Sequence, residues 1–108
     1  LGGDNISPSK IENILCLNKL IKQSFIYGDK KKYLVAIIVC DKEINKLKIK
    51  PVIANINDDL NLIEKIKNFI LIHDEFTIDN GMLTPTLKLK RKVIIKNYLK
   101  KIEKLYKI

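Results

Sequence analysis

The feature that most constrains this chain is the apolar run from Tyr33 to Cys40, Tyr-Leu-Val-Ala-Ile-Ile-Val-Cys, the longest unbroken one in the sequence. It is far too short to span a bilayer, which needs about 20 residues as a helix. Its β-branched content suits a strand. A strand apolar at every position has no face to give to water, so it must lie centrally in a sheet covered on both sides. Upstream, Leu20 to Tyr27 has the content of a second strand, and Gly28-Asp29-Lys30-Lys31-Lys32 is a turn between the two. The pair forms a hairpin.

The rest of the chain is punctuated around that hairpin. Ser7-Pro8 is a helix start, the hydroxyl capping and the proline sitting where its missing N–H is harmless. Ser9 and Glu12 have the spacing of a capping box one step later, and Ile11, Ile14 and Leu15 form a short apolar stripe. Glu43 to Lys50 is expected as a short helix stopped by Pro51, with a loop from Pro51 to Asp59. Leu62, Ile63, Ile66, Phe69 and Ile70 recur at helical spacing, with Asp58 or Asp59 as N-cap. Glu75 to Ile78 is expected as a short strand before the turn Asp79-Asn80-Gly81. A helix running to Ile70 and a strand from Glu75 leave almost no loop, so a break or a very tight connection is expected between Lys67 and Asp74. The last helix sets Ile95, Tyr98, Leu99, Ile102, Leu105 and Tyr106 on one face and Lys96, Lys100, Lys101, Lys104 and Lys107 on the wetter side. The sum is an α+β fold: a small sheet containing a β-hairpin, packed with three to four helices.

Composition bounds function loosely. At 108 residues the chain has room for one core, and 46% hydrophobic residues fit a folded protein and not a disordered tail. The net charge is +9, and of 21 basic residues only Arg91 is an arginine. Such a surface suits anionic partners: nucleic acid, anionic lipid or a phosphate-rich nucleotide. Lys, Ile and Asn dominate together, as an AT-rich coding sequence would produce, so the charge does not choose among them. Cys16 and Cys40 lack metal-ligand spacing, and no metal site is expected. Cys40, ending an apolar run, is expected as a buried free thiol of a reducing, intracellular compartment. No charged-then-apolar leader is visible, and a chain opening on Leu1 is expected to be a fragment or a processed piece.

Two loop-like segments are particular in residue type. Gly2-Gly3 leaves backbone bare, so a ligand or another chain can approach closely; a frayed terminus is the plainer alternative. Asp79 to Arg91 is a tight polar loop with cations at the start of a helix. It could present a charge to a phosphate or carboxylate, or be only a solvated basic run.

Gly2-Gly3-Asp4-Asn5-Ile6-Ser7-Pro8-Ser9-Lys10-Ile11-Glu12 resembles the stretch just past the hinge in adenylate-forming, acyl-activating enzymes. Phe76-Thr77-Ile78-Asp79-Asn80-Gly81-Met82-Leu83-Thr84-Pro85-Thr86-Leu87-Lys88-Leu89-Lys90-Arg91 resembles the C-terminal signature of the long-chain acyl-CoA synthetases in that superfamily. The resemblance implies a C-terminal lid over residues 1–108, working with an N-terminal adenylation domain outside this chain. It implies ATP, Mg and CoA, with ATP and Mg held mainly by that other domain, and a long-chain fatty acid as substrate. Counting four places on from Thr86 makes Lys90 the adenylation lysine, with Lys88 the alternative because Leu89 stands where wider relatives have glycine. Gly2 and Gly3 match the segment facing the pantetheine arm of CoA, Arg91 and Thr86 support the loop, and Glu12 is structural, as a cap. Family members usually carry more residues in the region of Asn61 to His73. The implied location is cytoplasmic or peripheral to an internal membrane, with association of the whole enzyme with a membrane surface. An RNA- or anionic-membrane-binding module, and the lid of an adenylating enzyme for another acid, are the competing readings. No nucleic acid is expected as partner, because exposed aromatics do not interleave with the lysines.

Overall fold

Leu34, Ala36 and Ile38 point to one side of a three-stranded sheet and Val35, Ile37 and Val39 to the other, and all six are buried. That alternation organises the computed structural model, which describes residues 6–28 and 31–107. The elements are α1 (Pro8–Cys16), β1 (Gln23–Tyr27), β2 (Leu34–Val39), α2 (Lys46–Asp58), a single 3-10 turn (Leu62–Glu64), β3 (Ile66–Ile72) and α3 (Arg91–Lys104). The strand order is β1-β2-β3. β1 runs antiparallel to β2, Gln23 opposite Val39 and Tyr27 opposite Val35. β3 runs parallel to β2, from Val35 opposite Asn68 to Val39 opposite Ile72. A parallel neighbour needs a crossover, and α2 supplies it. The fold is α+β, with the apolar run as the central strand.

Each face of β2 serves a separate core. On one side Ile11 and Leu15 of α1 and Ile49 and Ile53 of α2 pack over Ile26, Ile38 and Phe69. On the other, Ile94 and Ile102 of α3, with Phe76 and Met82 from the preceding loop, cover Phe25, Ile37 and Ile72. Cys40 is buried and free, while Cys16, also free, is exposed on α1.

Several expectations are corrected. The first strand starts at Gln23 and not at Leu20, because Ile21 N–H turns back to the Asn18 carbonyl. α2 does not stop at Pro51 but runs through it to Asp58. Buried Ile49 and Ile53 bracket the proline, whose ring faces solvent. The carbonyl left without a donor, that of Leu47, belongs to an exposed residue, where water can satisfy it. The segment expected as a helix from Leu62 to Ile70 is a short turn and then β3. The residues at helical spacing also form the β-rich string Phe-Ile-Leu-Ile, and pairing with β2 decides between them. Asp59 caps the end of α2, and Asn61 opens the 3-10 turn. Because residues 66–72 are themselves the strand, no break is needed between Lys67 and Asp74.

Glu75 to Ile78 is not a strand. The Gln23 side chain takes a strand's place: Phe76 N–H donates to its Oε1 at 2.8 Å, and its Nε2 donates to the Phe76 carbonyl at 2.9 Å. In α3 the buried residues are Ile94 and Ile102, followed by Leu105 at the C-cap, whereas Leu99 is 43% exposed, because non-helical dihedrals at Tyr98 break the helical phase. Among the described residues no helix is long and apolar enough to cross a membrane.

Candidate functional site: the hairpin loop before α3

The segment from Thr77 to Lys90 folds by its own side chains. Asn80 Oδ1 accepts from the N–H groups of Thr77 and Met82, and Asn80 Nδ2 donates to the Glu75 carbonyl. Gly81 follows at φ +80°, the left-handed region the turn requires. Leu83 and Leu89 then bridge antiparallel, closing a small hairpin. Within it, Thr84 N–H donates to the Lys88 carbonyl and Leu87 N–H to the Thr84 carbonyl, both at 2.8 Å. Lys88 N–H donates to Thr84 Oγ1 at 3.0 Å. Pro85 presets the turn, and Leu87 closes it at φ +66°, where glycine or asparagine is usual. Thr86 lies at the tip, its hydroxyl 3.1 Å from that of Thr84.

This loop ends by delivering Lys90 to the start of α3. Lys90 is the N-cap residue: its N–H donates to the Met82 carbonyl at 2.8 Å, and its carbonyl accepts from Val93 and Ile94. The backbone is fixed and the side chain is exposed. Among the described residues no carboxylate pairs with the ammonium of Lys90 or of Lys88. The Lys90 side chain makes no capping hydrogen bond to the first turn of α3, and no acidic residue lies in that turn. The exposed Lys90 and Lys92 therefore stand at the positive end of a helix dipole, an arrangement that favours an incoming anion.

Arg91, the first residue of α3, turns inward. Its Nη1 and Nη2 donate to Glu12 Oε2 and Oε1 at 2.8 and 2.7 Å, a bidentate pair. The guanidinium stands 5.6 Å from the centre of the Phe25 ring. Hydrogen bonding to Glu12 holds Arg91 still more firmly protonated than usual. Glu12 is only 6% exposed, and its Oε2 also accepts from Ile26 N–H at 2.7 Å. The capping role expected of Glu12 is thus corrected: Ser7 caps α1 by accepting from Lys10 N–H, and Glu12 reaches across to β1 and α3. The sequence signals were present in the only guanidinium among 21 cations and in a glutamate on the apolar side of a short helix.

An open cleft of about 650 Å³ lies between α1, the start of β1 and the hairpin loop, with Glu12, Cys16, Lys22, Lys88 and Arg91 among its walls. Lys88 and Arg91 thus share one cleft, while Lys90 and Thr86 are outside its lining. Gly2 and Gly3 lie outside the described residues.

The chain matches the AMP-binding enzyme C-terminal domain family over residues 1–108. It is 33% identical over 126 residues to a probable chloroplastic acyl-activating enzyme 16 of Arabidopsis thaliana, covering 97% of this chain and 18% of that protein. It is 32% identical over 131 residues to long-chain-fatty-acid–CoA ligase 6 of Rattus norvegicus, covering 98% of this chain and 19% of the ligase. The chain thus spans about a fifth of the length of the curated relatives it matches. Both alignments are longer than the chain's 108 residues, so these relatives carry additional residues within the shared stretch. Among solved structures, the A domain of a carboxylic acid reductase from Segniliparus rugosus, in complex with AMP and a co-purified carboxylic acid, superposes with a TM-score of 0.82 at 28% identity. The superposition covers 97% of this chain and 18% of that one. With the family match over its whole length, relatives above 30% identity and the same fold, the chain belongs to the C-terminal domains of adenylate-forming enzymes.

Proposed function

We propose that this chain is the mobile lid of a long-chain fatty-acid–CoA ligase, acting with an N-terminal adenylation domain of the same polypeptide. One observation carries the reading: the Leu-Thr-Pro-Thr-Leu-Lys-Leu-Lys-Arg segment is a hydrogen-bonded hairpin that holds the backbone of Lys90 and leaves its ammonium exposed and, among the described residues, without a carboxylate partner. In the first half-reaction a fatty-acid carboxylate oxygen attacks the α-phosphorus of ATP, and the bond to the bridging oxygen breaks, releasing pyrophosphate. Two anions approach each other, and the Lys90 charge offsets the negative charge that builds between them. In the second half-reaction the CoA sulfur attacks the acyl carbon, AMP leaves and the thiol proton passes to solvent. The lid has then rotated, bringing Gly2 and Gly3 beside the pantetheine arm, where side chains would block it. ATP, its Mg ion and the acyl chain are held mainly by the larger domain. Thr86 and Arg91 support the loop. The enzyme works inside the cell, in the cytoplasm or against the surface of an internal membrane.

The test is ATP–pyrophosphate exchange dependent on a long-chain fatty acid, measured on the complete enzyme. Lys90→Ala is expected to lower it on the order of 10²–10³-fold while a supplied acyl-adenylate is still converted to acyl-CoA. Lys88→Ala is expected to be mild, and the reverse pattern would move the role to Lys88. Two mild variants would leave the loop a solvated basic patch and overturn the reading. The likeness to a carboxylic acid reductase domain supports a second reading, a lid for another acid, which a panel of acids in the same assay distinguishes.

A further inference from the structure

We propose that Glu12 and Arg91 form a positioning clamp that aims the loop lysine during the adenylation half-reaction, an inference that rests on the function proposed above. Three facts point past simple packing. Arg91 is the chain's single guanidinium among 21 cations, and it stands where two parallel hydrogen bonds are made to one carboxylate. A lysine ammonium, a point charge on a flexible stem, cannot reproduce that planar fork. The carboxylate is itself fixed twice over, by Ile26 N–H of β1 and by burial to 6% exposure. Arg91 immediately follows the N-cap Lys90, and Ile94, three residues on and fully buried, faces the same side.

Together these set the rotation of α3 about its axis at the end where Lys90 leaves it. The Met82 carbonyl fixes the Lys90 backbone, and the clamp together with buried Ile94 fixes the rotation of the helix that follows. Glu12 lies on α1, the helix that follows the glycine segment in sequence. The clamp therefore ties α1 to the start of α3, so that rotation of the lid would carry the two together. Position matters here because a misplacement of about 1 Å in a catalytic group can cost on the order of 100-fold in rate.

Arg91→Lys keeps the charge and removes the fork. In the complete enzyme it is expected to lower kcat for ATP–pyrophosphate exchange about 10- to 100-fold, leaving KM for ATP and for the acid unchanged. Conversion of supplied acyl-adenylate should proceed at the wild-type rate. Glu12→Gln should give the same split. A role confined to folding would instead depress both half-reactions together. In the 108-residue chain Arg91→Lys should also lower the amide order parameters of Lys90 and Arg91 but not those of β2. Equal loss in both half-reactions, or unchanged order at Lys90, overturns the clamp. Loss of order at Lys90 with no fatty-acid-dependent exchange in the wild-type enzyme supports the clamp and overturns the ligase reading instead.

Discussion

Two side chains show how a local choice propagates. Glu12 is held by Arg91 and by Ile26 N–H, so Glu12→Ala strands a half-buried guanidinium and a buried donor at once. Removing one partner of such a pair costs about 3 kcal/mol. A urea melt of the variant against wild type measures it, and a cost below about 1 kcal/mol would class the pair with exposed ion pairs. Leu87 presents the opposite case. It holds φ +66° at the hairpin tip and is 67% exposed, so its side chain gains little from packing to offset the strain. Leu87→Gly is expected to stabilise the domain by about 1 kcal/mol, read as a higher melting temperature. Tyr106 carries a third expectation. Its hydroxyl donates to the Tyr33 carbonyl at 2.8 Å, and burial pushes its pKa up to about 12. An unfolded tyrosine ionises near pH 10, and this one resists until about 12. The phenol's contribution is fully present below about pH 10 and is lost as pH rises towards 12. Tyr106→Phe should flatten that part of the alkaline stability curve, and the variant's tyrosinate absorbance should lose a late-titrating phenol that the wild type shows.

At the level of elements, the legible ones were those whose sequence admits a single solution. The two-sided apolar run could only be a central strand, and Ser7-Pro8 could only open a helix; both stand. Residues 62–72 admitted two periods at once, and what decides between them is the β2 edge, to which local sequence is blind. Pro51 was misjudged because proline is forbidding in isolation, yet the packing of Ile49 and Ile53 overrides its missing bond. The override has a cost that can be recovered: Pro51→Ala should stabilise α2 by about 2 kcal/mol, seen in thermal melts. A neutral result would mean that the proline's stiffness in the unfolded chain offsets the lost bond. In the site, the position of the loop was legible from Asp79-Asn80-Gly81, but the Glu12 to Arg91 contact was not. Those residues are separated by 79 positions, and no local pattern records a pairing at that range.

Taken whole, the molecule is a sheet with a core on each face, and the core under α3 is closed at the far end of that helix. Tyr33 Oη donates to the Leu105 carbonyl, and Gly28 leaves just enough room for the Tyr106 hydroxyl. A Cβ at Gly28 would lie 2.5 Å from that oxygen and from the Tyr33 carbonyl, with φ already at +131°. Gly28→Ala should therefore loosen the α3 C-terminus from the hairpin and lower the melting temperature of the entire domain, since both cores share β2. Selective fraying of α3 alone, seen by hydrogen exchange, would show instead that the two cores unfold separately. The two-sided strand carries one more implication, for how chains of this kind can change length. Inserting or deleting a single residue within Leu34–Val39 would send every following side chain to the opposite core, exchanging small Ala36 for bulky neighbours on both sides together. A turn beside this strand can change length without moving a core side chain to the other face, but the strand itself behaves like a reading frame.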